Sequence, residues 1–116
     1  MSLTIHYTSY FKRVIRNVSR KYPHLKQDIN PVIKQLQTGE LLGDLIPNIG
    51  YSVYKVRIKN SDNNKGKSAG YRMIYYVKQQ EGITLLSLYS KSKQADISVA
   101  EIQAIIKKWH QEQNKD

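Results

Sequence analysis

Cysteine is absent from this chain of 116 residues. That excludes a disulfide framework and a thiol nucleophile. Histidine is scarce: His6, His24 and His110 are isolated and fall in different predicted elements. No His/Asp/Glu pair stands at ligand spacing, so neither a metal site nor a cofactor is expected. Nothing resembles a nucleophile elbow, which leaves a Ser-His-Asp triad without support. The triplet Gly66-Lys67-Ser68 is not a P-loop, because the motif's first glycine is missing and the triplet lies in a predicted hairpin loop. No apolar run approaches the length of a membrane span, and the first seven residues lack the apolar core of a signal peptide. The expected location is therefore the cytoplasm. Acidic residues are few, nine against nineteen Lys and Arg, for a formal net charge of +10. Nucleic acid is the leading partner for so basic a chain, ahead of a merely solubilising excess or an acidic protein partner.

What is present is concentrated between Tyr51 and Lys93. Lys55, Arg57, Lys59, Lys65, Lys67, Arg72, Lys78, Lys91 and Lys93 are opposed there only by Asp62 and Glu81, a formal +7. Three apolar, β-branched or aromatic runs, 53–58, 71–77 and 83–89, are separated by loops of Gly, Asn, Ser and Gln. This pattern predicts consecutive antiparallel strands. Side chains alternate along a strand. Val53, Lys55, Arg57 and Lys59 should share one face, with Tyr54, Val56 and Ile58 on the other, one face core and the other a row of cations. In the third run Leu85, Ser87, Tyr89 and Lys91 should oppose Leu86 and Leu88. Pairing in order would bring Arg57, Arg72 and Lys91 to one side of the sheet.

The flanks supply the remaining elements. Leu3, Ile5 and Tyr7 alternate with polar residues and predict a short strand. Thr8-Ser9 offers a helix cap, and Phe11, Val14, Ile15 and Val18 follow at helical spacing. The outer face of that helix holds Lys12, Arg13, Arg16, Arg20 and Lys21, either a solvated face or a stripe that tracks phosphates. Leu25, Ile29, Val32, Ile33 and Leu36 resume helical spacing. Pro31 either kinks this helix or stands at the first position of one capped by Asn30. Gly39 suits a left-handed C-terminal cap. Residues 40–50 read as a loop packed on the core. Ser98 and Glu101 fit a capping box, with Ile102, Ile105, Ile106 and Trp109 as the apolar stripe of a last helix. The expected architecture is α+β: one domain over 1–116, with a small antiparallel sheet against an N-terminal helical hairpin and a C-terminal helix. Residues 110–116 should be a frayed tail.

The available chemistry is cationic and phenolic. Such groups can cleave RNA, whose 2′-hydroxyl attacks the adjacent phosphate. Arg and Lys stabilise the charge on the transition state. A lysine of depressed pKa, crowded by other cations, could take the 2′-proton. A second cation or Tyr89 could protonate the leaving oxygen. The same residues equally permit a basic sheet that only binds phosphate.

Three segments together resemble the RelE/ParE superfamily of bacterial toxins, and its HigB/RelE-like members in particular. They are YKVRI at 54–58, GKSAGYRMIYYV at 66–77 and LLSLYSKSKQADIS at 85–98. The order β-α-α-β-β-β-α extends the resemblance over nearly the whole chain. It implies a toxin of a type II toxin–antitoxin module, an endoribonuclease that cuts mRNA in the ribosomal A site without a metal. It also implies a cognate antitoxin that silences it. By the same resemblance Lys55, Arg57, Arg72 and Lys91 match the reacting positions, with Arg72 on the scissile phosphate. Lys59, Lys65, Lys67, Tyr89 and Lys93 would bind RNA. Where the family's best-studied member has a tyrosine after the last strand, this chain has Ser98, and Tyr89 is a possible substitute. The ParE branch, which poisons DNA gyrase on the same fold, and a non-catalytic RNA-binding module are the alternatives.

Overall fold

A computed structural model of the chain describes residues 2–63 and 69–114. Lys65 and Lys67, both expected to touch RNA, lie outside the described residues. In chain order the elements are β1 (Ile5–Tyr7), α1 (Ser9–Lys21), α2 (Leu25–Gln37), β2 (Asp44–Leu45), β3 (Ser52–Ile58), β4 (Tyr71–Lys78), β5 (Gly82–Ser90) and α3 (Val99–Gln113). The strands form one sheet in the order β1-β5-β4-β3-β2. The architecture is α+β, as expected. The sheet is mixed rather than purely antiparallel, because β1 runs parallel to β5. The α1–α2 hairpin between β1 and the meander supplies the long connection that a parallel pair requires. The loop expected at 40–50 contributes a two-residue edge strand, β2, which pairs Asp44 with Lys55 and Leu45 with Tyr54.

Both faces of the sheet are covered. Phe11 and Ile15 of α1 and Leu25, Ile29, Ile33 and Leu36 of α2 pack on Val56, Ile58, Tyr71, Met73, Tyr75, Ile83, Leu85 and Leu88. On the opposite face Ile102 and Ile106 of α3 pack with Ile97 and Ile49 on Val53, Ile74, Tyr76, Leu86 and Tyr89. The expected division into one core face and one cationic face is therefore corrected. α3 covers one end of the cation-bearing face, and only the other end is left for charge.

The helices begin where the sequence places their caps. Thr8 accepts from the N–H of Phe11 at 2.9 Å, opening α1. Ser98 and Glu101 form the reciprocal capping box of α3. Helix α2 overturns the reading of Pro31 as the first residue of a helix capped by Asn30 and leaves it inside one helix. It starts after His24 and continues through Pro31 in a single run to Gln37. Asn30 is thus an interior residue and not a cap. Buried Leu25, Ile29, Ile33 and Leu36 hold the helix from both sides of the proline, so packing outweighs the lost backbone bond. Gly39, at φ +97°, closes the helix in the left-handed conformation, with its N–H on the carbonyl of Leu36. The tail expected to fray is helical as far as Gln113, and Glu112 accepts from the Ser9 hydroxyl at 2.9 Å.

Candidate functional site

The site is built on strand register. β3 and β4 pair Arg57 with Arg72, and β4 and β5 pair Arg72 with Tyr89. Directly opposed residues share a face, so these three form one rank across the sheet. The adjacent rank on this face is Lys55–Ile74–Ser87, and the next is Val53–Tyr76–Thr84. The apolar cluster under α3 takes in Val53 and Tyr76 of the last rank, Ile74 of the middle one and Tyr89 of the first, so in the first rank Arg72 and Tyr89 are buried and Arg57, at its β3 end, is exposed. Two arginines directly opposite one another repel. Such a pair is favourable only where an anion or other acceptors face it.

A β-bulge corrects the expected alternation in β5. The pairing steps from Ile74↔Ser87 to Tyr75↔Leu85, which leaves Leu86 as the extra residue. Leu85 thereby turns to the helical hairpin, while Leu86 stays on the α3 face with Ser87 and Tyr89. Leu85 therefore does not share a face with Ser87 and Tyr89. The bulge lets β5 put a large apolar anchor under α3 and still bring Tyr89 into line with Arg72.

The side chains differ widely in exposure. Arg72 is 5% exposed, so the arginine sits within the sheet rather than standing in solvent. One of its nitrogens donates to the carbonyl of Tyr71 at 3.3 Å. Arg57 is exposed and Lys55 half-buried. Gly70, just before β4, is required by neighbouring backbone and not by a ligand. A Cβ there would collide with the carbonyl of Ile58.

Asp96 is the central residue that sequence reasoning missed. Its Oδ1 accepts from the Ile97 N–H at 2.8 Å, from Lys55 Nζ at 3.3 Å and from the Tyr89 hydroxyl at 3.3 Å. The Ile97 N–H, then Lys55 and Tyr89, hold the Asp96 carboxyl below the usual carboxylate range. Burial first, and the Asp96 charge second, push the Tyr89 phenol up to about 12. Tyr89 thus keeps its proton at neutral pH. The signal for Asp96 is its place two residues before the Ser98 cap, in the segment 85–98 that carries the resemblance.

The remaining candidates lie around this centre. Lys91 follows β5, and its ammonium donates to the carbonyl of Ala95 at 2.6 Å, tying it to the loop that carries Asp96. Lys59 follows β3 and is exposed. Lys93 is exposed and lies against Lys21 of α1, whose ammonium pulls its pKa below the ordinary lysine value. Among the described residues the lysine with a depressed pKa is therefore Lys93, and the crowding cation comes from a helix. The structure thus gathers Lys55, Arg57, Arg72, Tyr89 and Asp96 into one patch, with Lys91 on its margin. Among the described residues, no three His, Cys, Asp or Glu side chains cluster as metal ligands would. No helix among them is long and apolar enough to cross a membrane.

A search of curated proteins finds no match. The family model for the RelE toxin of the RelE/RelB toxin–antitoxin system matches residues 4–115. That span includes every strand of the sheet, all three helices and every residue of the patch. This chain belongs to the RelE family of toxin–antitoxin toxins.

Proposed function

We propose that this toxin is a ribosome-dependent mRNA endoribonuclease, acting in the cytoplasm and neutralised by a cognate antitoxin. The single observation that carries this reading is the rank Arg57–Arg72–Tyr89 across the sheet, with Lys55 in the adjacent rank. In the reaction the 2′-hydroxyl of RNA gives up its proton to water as its oxygen bonds to the adjacent phosphorus, and the bond from phosphorus to the 5′-oxygen breaks as that oxygen takes up a proton. The products are a 2′,3′-cyclic phosphate and a 5′-hydroxyl. Negative charge grows on the non-bridging oxygens in the transition state. Paired guanidinium forks suit those oxygens geometrically. Lys55 adds a point charge beside them. Tyr89, protonated at neutral pH, is the group suited to deliver a proton or hydrogen bond to the leaving 5′-oxygen. These groups supply charge neutralisation and proton transfer without calling on a metal. Asp96 occupies Lys55 and Tyr89 in the free protein, and an incoming phosphate would compete for the same donors.

The test is induced expression without the antitoxin, followed by primer extension on mRNA. Growth arrest with cuts inside reading frames, phased to codons, is the expected result. Intact mRNA together with DNA breaks or gyrase inhibition would assign the chain to the ParE mode of action instead.

A further inference from the structure

A groove beside the site is lined by two lysines, Lys21 and Lys93, and by one carboxylate, Glu101, which is engaged by Ser98 at the start of α3. β1 pairs only with Ile83–Leu85 of β5, so on that side no strand flanks β5 from Ser87 to Ser90, where β4 alone pairs with it. α1 runs along one side of this gap, and the loop between β5 and α3 runs along the other. Between them lies a groove of about 350 Å³. Val14, Val18, Leu88 and Ile97 give it apolar walls, and Tyr89 of the catalytic rank borders it. Lys21 and Lys93 line it from opposite sides. Lys21 Nζ stands 5.5 Å from the centre of the Tyr22 ring. Beside them Ser92 Oγ lies 3.4 Å from the Tyr22 hydroxyl and 2.9 Å from Ser90 Oγ.

Exposed lysines on flexible stems normally swing apart when they repel. These two, from separate elements, line the same groove, and Lys21 holds the Lys93 pKa below the ordinary lysine value. Among the described residues neither has a carboxylate within ion-pair distance. Two ammonium groups and the Tyr22 side chain on one groove wall, with the Ser92 hydroxyl against that of Tyr22, make a donor set for a tetrahedral oxyanion. The adjoining apolar walls suit the nucleoside that a backbone phosphate brings with it.

We propose that Lys21 and Lys93, with the hydroxyls of Ser92 and Tyr22, form a subsite for one backbone phosphate of single-stranded RNA, distinct from the phosphate held by Arg57 and Arg72. The inference rests on the ribonuclease reading and gives the strand a path off the sheet, past Tyr89, onto α1. It also gives Lys93 a role apart from the reacting face.

The experiment measures binding of a 2′-O-methyl RNA oligonucleotide, which cannot be cleaved, by fluorescence anisotropy across a salt titration. Each neutralised phosphate on a single strand contributes roughly 0.7 to the slope of log K against log salt. The double variant Lys21→Ala/Lys93→Ala should bind several-fold more weakly, with a slope shallower by about 0.7. The pair Lys34→Ala/Lys107→Ala removes the same charge from exposed positions on α2 and α3 and should leave the slope in place. An unchanged slope in the first pair, or an equal change in both, overturns the subsite. Lys→Gln versions at both pairs replace any Ala variant that melts early. Inorganic phosphate that saturates Lys93 by NMR titration, while the variants bind RNA like the parent, would assign the site to free phosphate and also overturn the proposal. Cleavage by the parent protein is scored separately in a translating extract. Its absence would sink the ribonuclease reading while leaving the binding result to stand or fall alone.

Discussion

Arg72 combines two roles that are usually separate. It is buried within the sheet, yet its register places it between Arg57 and Tyr89. A solvent-facing arginine could be deleted without harm to the fold, but this one contributes packing through its stem as well as charge at its head. Arg72→Ala should lose roughly 3–4 kcal/mol of transition-state stabilisation, about a hundred- to a thousand-fold in rate, by analogy with removing an oxyanion donor. It should also lower the melting temperature. Arg72→Lys keeps the stem and one charge, so it should fold like the parent and recover only part of the cleavage. Growth arrest, mRNA cleavage and a thermal melt on both variants check this. Full toxicity of Arg72→Ala would show that the reacting residues are wrongly assigned. Tyr89 separates function from folding more cleanly. Tyr89→Phe keeps the ring and removes one of three donors to Asp96, a stability cost of about 0.5–1.5 kcal/mol. The loss in cleavage should be about a hundredfold or more if the hydroxyl serves the leaving group. A Phe variant as active as the parent in single-turnover cleavage would remove Tyr89 from the mechanism.

At the scale of elements, two attachments position the site. The bulge in β5 anchors α3 through Leu86, which is fully buried. Leu86→Ala should destabilise the protein by about 2–5 kcal/mol, the range for truncating a buried leucine. Denaturant unfolding measures it, and a change below 1 kcal/mol would mean that α3 does not depend on the bulge. The start of α2 holds the chain just after β3. His24 Nδ1 meets Asp62 Oδ1 at 2.7 Å, and the Asp62 carboxylate also accepts the His24 N–H, while Asp28 accepts from the N–H and hydroxyl of Ser61. The hydrogen bond and charge of Asp62 raise the His24 pKa, and His24 lowers that of Asp62. A raised histidine contributes stability that is complete below its unfolded pKa of about 6.5 and is lost as pH rises through the higher folded value. The depressed carboxylate contributes above its unfolded pKa of about 3.9 and loses that contribution as pH falls through its lower folded value. The latch is therefore at full strength between roughly pH 4 and 6.5. The melting temperature of Asp62→Asn, compared with the parent from pH 5 to 8.5, should show the difference shrinking as pH rises. A constant difference would exclude the ion pair as its cause.

At the scale of the whole molecule, the net charge of +10 shapes association more than folding. An antitoxin that covers the cationic patch must bring acidic groups to it. Its affinity should then fall as salt rises, through loss of steering and screening of rim contacts. Calorimetric titrations at low and high ionic strength check this. An affinity indifferent to salt would direct attention to exposed apolar residues such as Leu41, Leu45 and Tyr51.

The elements and most of their ends are legible in the order of residues, because they depend on near neighbours. Periodicity marked α1 and the meander strands, Thr8 and the Ser98/Glu101 box marked two helix starts, and Gly39 marked the close of α2. Residue order also placed Lys55, Arg57 and Arg72 on one face, since alternation and simple pairing hold through β3 and β4. Features that depend on distant partners emerge with the folded chain. The parallel pairing of β1 with β5 joins residues nearly eighty positions apart, as Ile5↔Ile83. The continuity of α2 through Pro31 comes from packing on the sheet, which local propensity does not contain. Arg72 is buried because both faces of the sheet are covered. Leu85 turned away from Tyr89 because one extra residue in the ladder reverses the alternation, and no local pattern announces a bulge. Asp96 entered the site because the loop after β5 folds back over the cations, bringing a carboxylate to Lys55 across 41 positions of chain. A residue's type and spacing can be read from the chain, but what it faces is set by the packing of the whole.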